Sequence, residues 1–166
     1  MKGIFSFFLL ALVTSGQEPE LGQGWLPEFN LAARHMLALA EATPAAKFNW
    51  RPAPGVRSVS EVYMHLAWGN FWLVEQAGLK SGRDLRTIPP EKDFTTKEET
   101  IKWLKESFEA VRKNYPPAHP NQKLRFLNQD STTEQVMLRI LAHNQEHYGQ
   151  AIAYARMVGV VPPWSK

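Results

Sequence analysis

Residues 131–159, STTEQVMLRILAHNQEHYGQAIAYARMVG, decide the fold of this chain. The segment opens with Ser131-Thr-Thr-Glu134, a sequence typical of a capping box at a helix N-terminus. Apolar residues then recur every three or four positions, and Gly159 offers a C-terminal cap ahead of two prolines. The pattern predicts one long amphipathic helix, the longest in the chain.

Three further segments, at about residues 26–41, 58–78 and 95–115, have the same helical periodicity. The second and third also begin with capping-box sequences. Proline-rich connections of more than ten residues separate the four segments, and loops of this length often shape a pocket. Residues 123–127 alternate between polar and apolar side chains, but the run is short and we expect an extended connection there. The sequence therefore predicts an all-α fold, a four-helix bundle with long connecting loops.

The composition narrows the classes of function. The chain has 166 residues, 44% of them hydrophobic, which suits one globular domain with its own core. The formal net charge of +3 comes from cations scattered among acidic residues, so we expect no nucleic-acid partner. The chain contains no cysteine, which excludes disulfides, thiolate metal ligands and a cysteine nucleophile. Any bound metal must therefore be held by histidine and oxygen donors.

The first residues are typical of an export signal. A positive start is followed by an apolar run at residues 4–13 and then by small residues. The run is too short to span a bilayer. We predict a signal peptide at residues 1–16, a bundle domain at residues 17–166, and an exported protein, periplasmic or secreted, without a stable membrane anchor. An uncleaved anchor or a buried helix is the alternative.

Two histidines lie on the apolar stripe of the fourth helical segment. His143 and His147 continue the line that contains Ile140 and Ala151, where a bundle normally places aliphatic side chains. A solvated face would instead place them beside Glu146. Residues four apart lie one turn apart on the same face of a helix, so both imidazoles can reach a single metal ion.

The second helical segment has a histidine in the same kind of position. His65 falls on the stripe that contains Val62 and Trp72. Three buried imidazoles need partners for their ring nitrogens, and each missing partner costs about 1–3 kcal/mol. One divalent metal satisfies all three, although satisfied core histidines without metal remain the alternative. The other two histidines fall outside this pattern: we expect His35 on the surface and His119 in a loop.

Residues around the predicted metal site are harder to assign. Gln150 follows His147 by three positions on the same side and could orient a ligand or a bound water, or it could be a polar residue at the edge of the stripe. Asn70 could contribute a hydrogen bond from behind the ligands. Trp68 and Trp72 could wall a pocket, although aromatic residues at helical spacing are more often core. We find no carboxylate placed as a general base, which is the weakest point of an enzyme hypothesis.

The sequence resembles the DinB-like (DinB/YfiT) family of metalloenzymes over nearly the whole predicted domain. The resemblance rests on residues 37–58, LALAEATPAAKFNWRPAPGVRS, and on residues 58–72, SVSEVYMHLAWGNFW. Its most specific part is residues 143–163, HNQEHYGQAIAYARMVGVVPP. The resemblance implies a four-helix bundle, often a homodimer, with three histidines around one divalent metal ion.

In this sequence the three family positions are His65, His143 and His147, the same residues that the stripe argument selects. The resemblance leaves zinc, nickel and iron open as the metal. Three histidine ligands leave a coordination position for water or a small-molecule substrate. Some relatives resemble thiol-dependent transferases and isomerases, but export places this chain where such thiols are scarce. We therefore carry three hypotheses: a metal-dependent hydrolase or thiol-type transferase, a non-catalytic metal-binding or stress-related protein, and a bundle whose histidines bind nothing.

Overall fold

The computed structural model describes residues 21–93 and 96–165 and confirms the predicted four-helix fold. The predicted signal peptide at residues 1–16 lies outside the described residues. Within the described part of the chain, the helices are all too short or too polar to cross a membrane. The four helices are α1 (Trp25–Ala42), α2 (Val59–Gln76), α3 (Lys97–Lys113) and α4 (Thr133–Met157).

Capping boxes fix the starts of two helices where the sequence predicts them. Ser58 accepts a hydrogen bond from the backbone of Glu61, whose side chain accepts from the Ser58 backbone in return. Thr96 and Glu99 form the same reciprocal pair at the start of α3. Each pair satisfies two backbone N–H groups that the first turn of a helix leaves free.

The capping box predicted for α4 at Ser131–Glu134 is wrong by one residue. Thr132 is the N-cap and Gln135 is its reciprocal partner. Both alternatives place a hydroxyl three residues before a side chain that can accept a hydrogen bond, so the sequence does not separate them. Residues 129–132 are extended because they pair with another strand, and this pairing holds Ser131 outside the helix.

The helices surround one core. Helix α1 packs against α3 and α4, and α2 also packs against α3 and α4, so α1 and α2 lie diagonally across the bundle. This arrangement explains the long connections from α1 to α2 and from α3 to α4, because helices at opposite corners cannot be joined by a tight turn. Phe29, Phe108, Leu66 and Ile140, one from each helix, are fully buried in this core.

A β-hairpin precedes α4 where we expected an extended connection. Strand β1 (Lys123–Phe126) pairs antiparallel with β2 (Gln129–Thr132). The two turn residues, Leu127 and Asn128, have φ angles of 48° and 66°, the left-handed conformation that this kind of two-residue turn requires. The sequence does not predict the hairpin, because Leu127 occupies a turn position where glycine or asparagine is normally found. It places Phe126 against Trp72 of α2.

Candidate metal centre

The three predicted histidines meet where α2 faces α4. His65 extends from α2, and His143 and His147 extend from successive turns of α4. The Nε2 atom of His143 lies 3.1 Å from Nε2 of His147 and 3.4 Å from Nε2 of His65. One ligand atom from each residue lies within 4.8 Å of the others, so this group, which we call the histidine cluster, could hold a metal ion.

Outer hydrogen bonds orient two of the three rings. His65 donates from Nδ1 to the carboxylate of Glu91 over 2.8 Å, and His147 donates from Nδ1 to the amide oxygen of Gln150 over 2.8 Å. The Gln150 amide nitrogen in turn donates to the hydroxyl of Tyr154. A proton on Nδ1 leaves Nε2 with a free lone pair in a neutral imidazole. Both rings therefore present the metal-binding face of Nε2 to the centre of the cluster.

His143 is the most buried ring of the cluster, with 9% of its surface exposed. Its Nδ1 atom is buried and has no hydrogen-bond partner among the described residues. The ring lies directly on Gly69 of α2, where a Cβ atom would stand only 2.5 Å from the His143 Cε1 atom. The absence of a side chain at this position is what lets α2 and α4 approach closely enough for the rings to meet.

Burial favours the neutral form of the His143 and His147 rings. Burial, with the nearby imidazoles of His147 and His65 adding to it, lowers the pKa of His143 from 6.5 to about 4. Burial also lowers the pKa of His147, an effect that its hydrogen bond to Gln150 partly opposes. Metal ions bind the neutral form of imidazole, so the environment holds both rings ready to act as ligands.

The spacing of the Nε2 atoms fits a metal ion. Ligand nitrogens about 2.0–2.1 Å from one ion lie about 3.0 Å apart at right angles and about 3.4 Å apart at tetrahedral angles. The measured separations of 3.1 and 3.4 Å fall in this range. Without an ion, the hydrogen bonding within the cluster is incomplete. His65 and His147 carry their protons on Nδ1 and donate them to outer partners, so only His143 can carry a proton on Nε2. That single proton lies between two converging lone pairs and can satisfy only one of them well, whereas a cation can bind all three Nε2 atoms.

Glu91 is the partner that the sequence does not reveal. It lies in the long connection between α2 and α3, and its carboxylate contacts His65 with one oxygen and Arg57 with the other, at 3.1 Å. Carboxylates often hold a metal-bound histidine in this way. No spacing rule connects positions 65 and 91, since the path of a long loop depends on tertiary contacts.

The two predicted helper residues differ in position. Gln150 bonds His147 directly. Asn70 is fully buried, and it forms hydrogen bonds with Ser107 of α3 and Asn144 of α4. Asn70 therefore joins three helices beside His143, and it supports the cluster through the position of α4.

Glutamates near the cluster are engaged in ion pairs. Glu91 pairs with Arg57, and Glu146 forms two hydrogen bonds with Arg139 at 2.8 and 2.9 Å. Glu61 pairs with an arginine in the same two-bond fashion and also caps α2. Each of these three carboxylates is therefore held by an arginine.

The remaining histidines lie outside the cluster. His119 is exposed in the loop after α3, as predicted. The expectation that His35 is a surface residue is wrong, since it is half-buried between α1, α4 and the C-terminal segment. Its ring stacks on Trp164 at 3.8 Å, and its Nδ1 atom lies 2.6 Å from the Tyr148 hydroxyl.

A model of the DinB superfamily matches residues 28–151, which is more than half of the chain. The chain belongs to the DinB superfamily. The crystal structure of a DinB-like protein from Bacillus cereus ATCC 10987 aligns with a TM-score of 0.68 over 83% of this chain and 93% of that chain. The two sequences share 14% identity, so this likeness shows the DinB fold alone. A search of curated proteins found no match.

Proposed function

We propose that this DinB protein binds one divalent metal ion through His65, His143 and His147 and uses it as a hydrolase or a thiol-type transferase. The observation that supports the proposal is the convergence of three Nε2 atoms, with those of His147 and His65 at 3.1 and 3.4 Å from that of His143, and outer partners on two of the rings. Zinc, nickel and iron all suit a site of three neutral imidazoles. The three ligands leave room for a substrate.

The chemistry divides between the ion and the protein. His65, His143 and His147 would hold a divalent ion, which would supply Lewis acidity toward a water or thiol and toward negative charge that develops on a substrate. Glu91 and Gln150 hold the rings of His65 and His147 by keeping a proton on each Nδ1 atom. Gly69 lets the His143 ring sit between the two helices. The protein thus supplies orientation and a partly dehydrated setting.

A non-catalytic metal-binding protein is the second candidate. The engagement of Glu61, Glu91 and Glu146 with arginines favours it, because many metal hydrolases use a free carboxylate as general base. An apolar cavity beside the cluster favours an enzyme, because a purely structural or storage site does not need one.

Metal analysis of the purified protein tests the shared part of both candidates. We expect about one equivalent of metal in the wild type and less than about a tenth in His65→Ala, His143→Ala or His147→Ala. His119→Ala, an exposed histidine away from the cluster, is the matched control and should keep the full equivalent. Equal metal content in all five proteins would overturn the proposal.

Turnover separates the two candidates. The metal-loaded protein should be assayed with ester, amide and thiol-adduct substrates, with His147→Ala as the blank. Hydrolysis or thiol transfer that depends on the added metal and disappears in the variant supports the enzyme. Full metal binding without turnover of any of the three classes supports the second candidate.

Export and dimer formation are further parts of the proposal. The apolar run at residues 4–13 supports export, and mass spectrometry of the N-terminus after expression in a bacterial host would test it. A cytoplasmic chain that still begins at Met1 would contradict it. The family resemblance supports a homodimer, and sedimentation analysis would test it, with a concentration-independent monomer as the contrary result.

A further inference from the structure

A cavity of about 270 Å³ opens beside the histidine cluster. Trp68 and Trp72 of α2 form one wall, and Phe126 and Leu127 of the hairpin form the other. His65 and His143 also line it, so the cavity adjoins the place where a bound ion would lie. A molecule in this cavity would have its reacting end at the cluster.

The walls of the cavity are aromatic and carry no free charge. The rings of Trp68 and Trp72 stack with centroids 5.8 Å apart, and the Phe126 ring lies 6.0 Å from Trp72. Arg139 is the one charged residue of the lining, and its guanidinium is committed to Glu146 by two hydrogen bonds. Such walls favour a neutral apolar group over an ionic one.

Leu127 gives a second, independent observation. Its φ angle of 48° is unfavourable for a leucine by about 1–2 kcal/mol relative to an ordinary conformation. The residue is 67% exposed, so burial offsets little of this cost. Asparagine or glycine would suit the turn better. The unfavourable conformation of Leu127 is explained if its apolar side chain covers an apolar ligand at the mouth of the cavity.

A second cavity near the cluster has a different character. It measures about 660 Å³ and its lining includes Arg51, Arg57 and Lys92 together with two glutamates. None of the three clustered histidines lines it; it touches their outer partners Glu91 and Gln150 instead. Of the two cavities, the aromatic one therefore has direct access to the ligand face of the cluster.

We propose that the aromatic cavity is the substrate subsite, and that it takes a neutral apolar group, an aromatic ring or a branched alkyl chain, attached to the group that reacts at the metal. This inference rests on the proposed metal-dependent function and specifies its substrate class. The cavity has room for such a group, because an apolar cavity of about 150 Å³ is enough for a benzene ring and this one measures about 270 Å³.

A pair of metal-binding probes tests the subsite directly. Benzohydroxamate and acetohydroxamate share the chelating group and differ only in a phenyl ring against a methyl group. Binding to the cobalt-loaded protein can be followed by visible absorption. We expect benzohydroxamate to bind about tenfold more tightly or better, because its ring leaves water for the aromatic cavity. Equal affinities would overturn the inference and leave the metal site standing.

Variants of the cavity mouth separate binding from folding. Leu127→Asn should keep or raise the thermal unfolding midpoint, because asparagine suits the turn. It should lower the affinity for benzohydroxamate at least about fivefold and the affinity for acetohydroxamate by less than about twofold. Leu138→Ala removes a leucine that is 60% exposed on α4 and does not line the cavity, and it should change neither affinity. Equal effects of the two variants would overturn the inference.

A measurement without metal keeps the test separate from the proposed function. In the metal-free protein, benzyl alcohol should shift the indole N–H NMR signals of Trp68 and Trp72, and it should not shift the signal of Trp103 on α3. The signals are assigned with Trp→Phe variants. Shifts confined to Trp68 and Trp72 support the subsite even if no metal binds. Unshifted signals for both would overturn it whatever the metal analysis gives.

Discussion

Replacing Gly69 by alanine should weaken metal binding without removing any ligand. Gly69 lies in α2 with an ordinary helical backbone, so alanine suits its conformation and should favour the helix by about 0.5–1 kcal/mol. The new methyl group, however, would lie 2.5 Å from Cε1 and 3.2 Å from Nδ1 of His143. Outside the backbone of α2, the three heavy atoms nearest to the new methyl group all belong to the His143 ring, so the conflict is with a member of the histidine cluster.

The size of the effect follows from these distances. The ring must retreat by about 0.9 Å to restore an ordinary contact of 3.4 Å between the new methyl group and Cε1. Metal–ligand distances tolerate changes of only about 0.2 Å. The His143 ring can move away from α2 only by leaving its place beside His65 and His147. We expect the affinity for zinc to fall at least about tenfold, with a larger loss if the ligand is lost altogether.

Competition with a chromophoric chelator measures the affinity, and far-UV circular dichroism checks that the helices are retained. Gly149→Ala is the matched control, because it also adds a methyl group to a glycine in a helix but meets nothing within 4 Å. Its metal affinity should equal that of the wild type. The reasoning is refuted if the two alanine variants bind zinc equally well while Gly69→Ala remains folded.

Three further predictions concern the surroundings of the cluster. Glu91→Gln should lower metal affinity about tenfold to a hundredfold in the same assay, because an amide binds the His65 Nδ1 proton less strongly than a carboxylate does. Glu134→Gln, at an exposed position, is the control and should leave the affinity unchanged. Equal affinities of the two variants would contradict the role of Glu91 in orienting His65. The unfolding free energy of the metal-free protein should fall as the pH drops from 6.5 towards 4, because His143 binds a proton in the unfolded chain but stays neutral when buried. In denaturant titrations, this fall should be smaller in His143→Ala by up to about 3 kcal/mol. Identical pH profiles would exclude this linkage. Asn70→Ala should cost about 1–3 kcal/mol of unfolding free energy, because it removes the buried hydrogen bonds that Asn70 makes with Asn144 and Ser107, while the metal content stays at one equivalent. An unchanged denaturation midpoint would show that these hydrogen bonds contribute little.

The positions of the three histidines were predictable because they depend on helical periodicity. Four residues separate His143 from His147, and this spacing places both rings on one face whatever the rest of the chain does. His65 falls on the apolar stripe of its own helix for the same reason. A helix that packs in a bundle must turn its apolar stripe inward, so histidines on two such stripes have a high chance of meeting.

The local details that the sequence missed depend on pairing and on loop paths. The hairpin forms because Lys123–Phe126 finds a partner in Gln129–Thr132, and its Leu127 turn is tolerated only in that context. The N-cap of α4 moves to Thr132 as a consequence of this pairing. Short-range preferences do not predict either feature, because the energy that decides them comes from contacts made by the folded chain.

The sequence by itself determined that four amphipathic helices form and that three histidines lie on the buried faces of two of them, because helix periodicity is a local property. Only the tertiary structure decided that Glu91 holds His65, that Gly69 leaves space for the His143 ring, and that Trp68 and Phe126 enclose a cavity beside the cluster. These contacts join residues far apart in the chain. Their existence depends on how closely the helices approach and on where the long connections run, and neither is encoded in a short stretch of sequence.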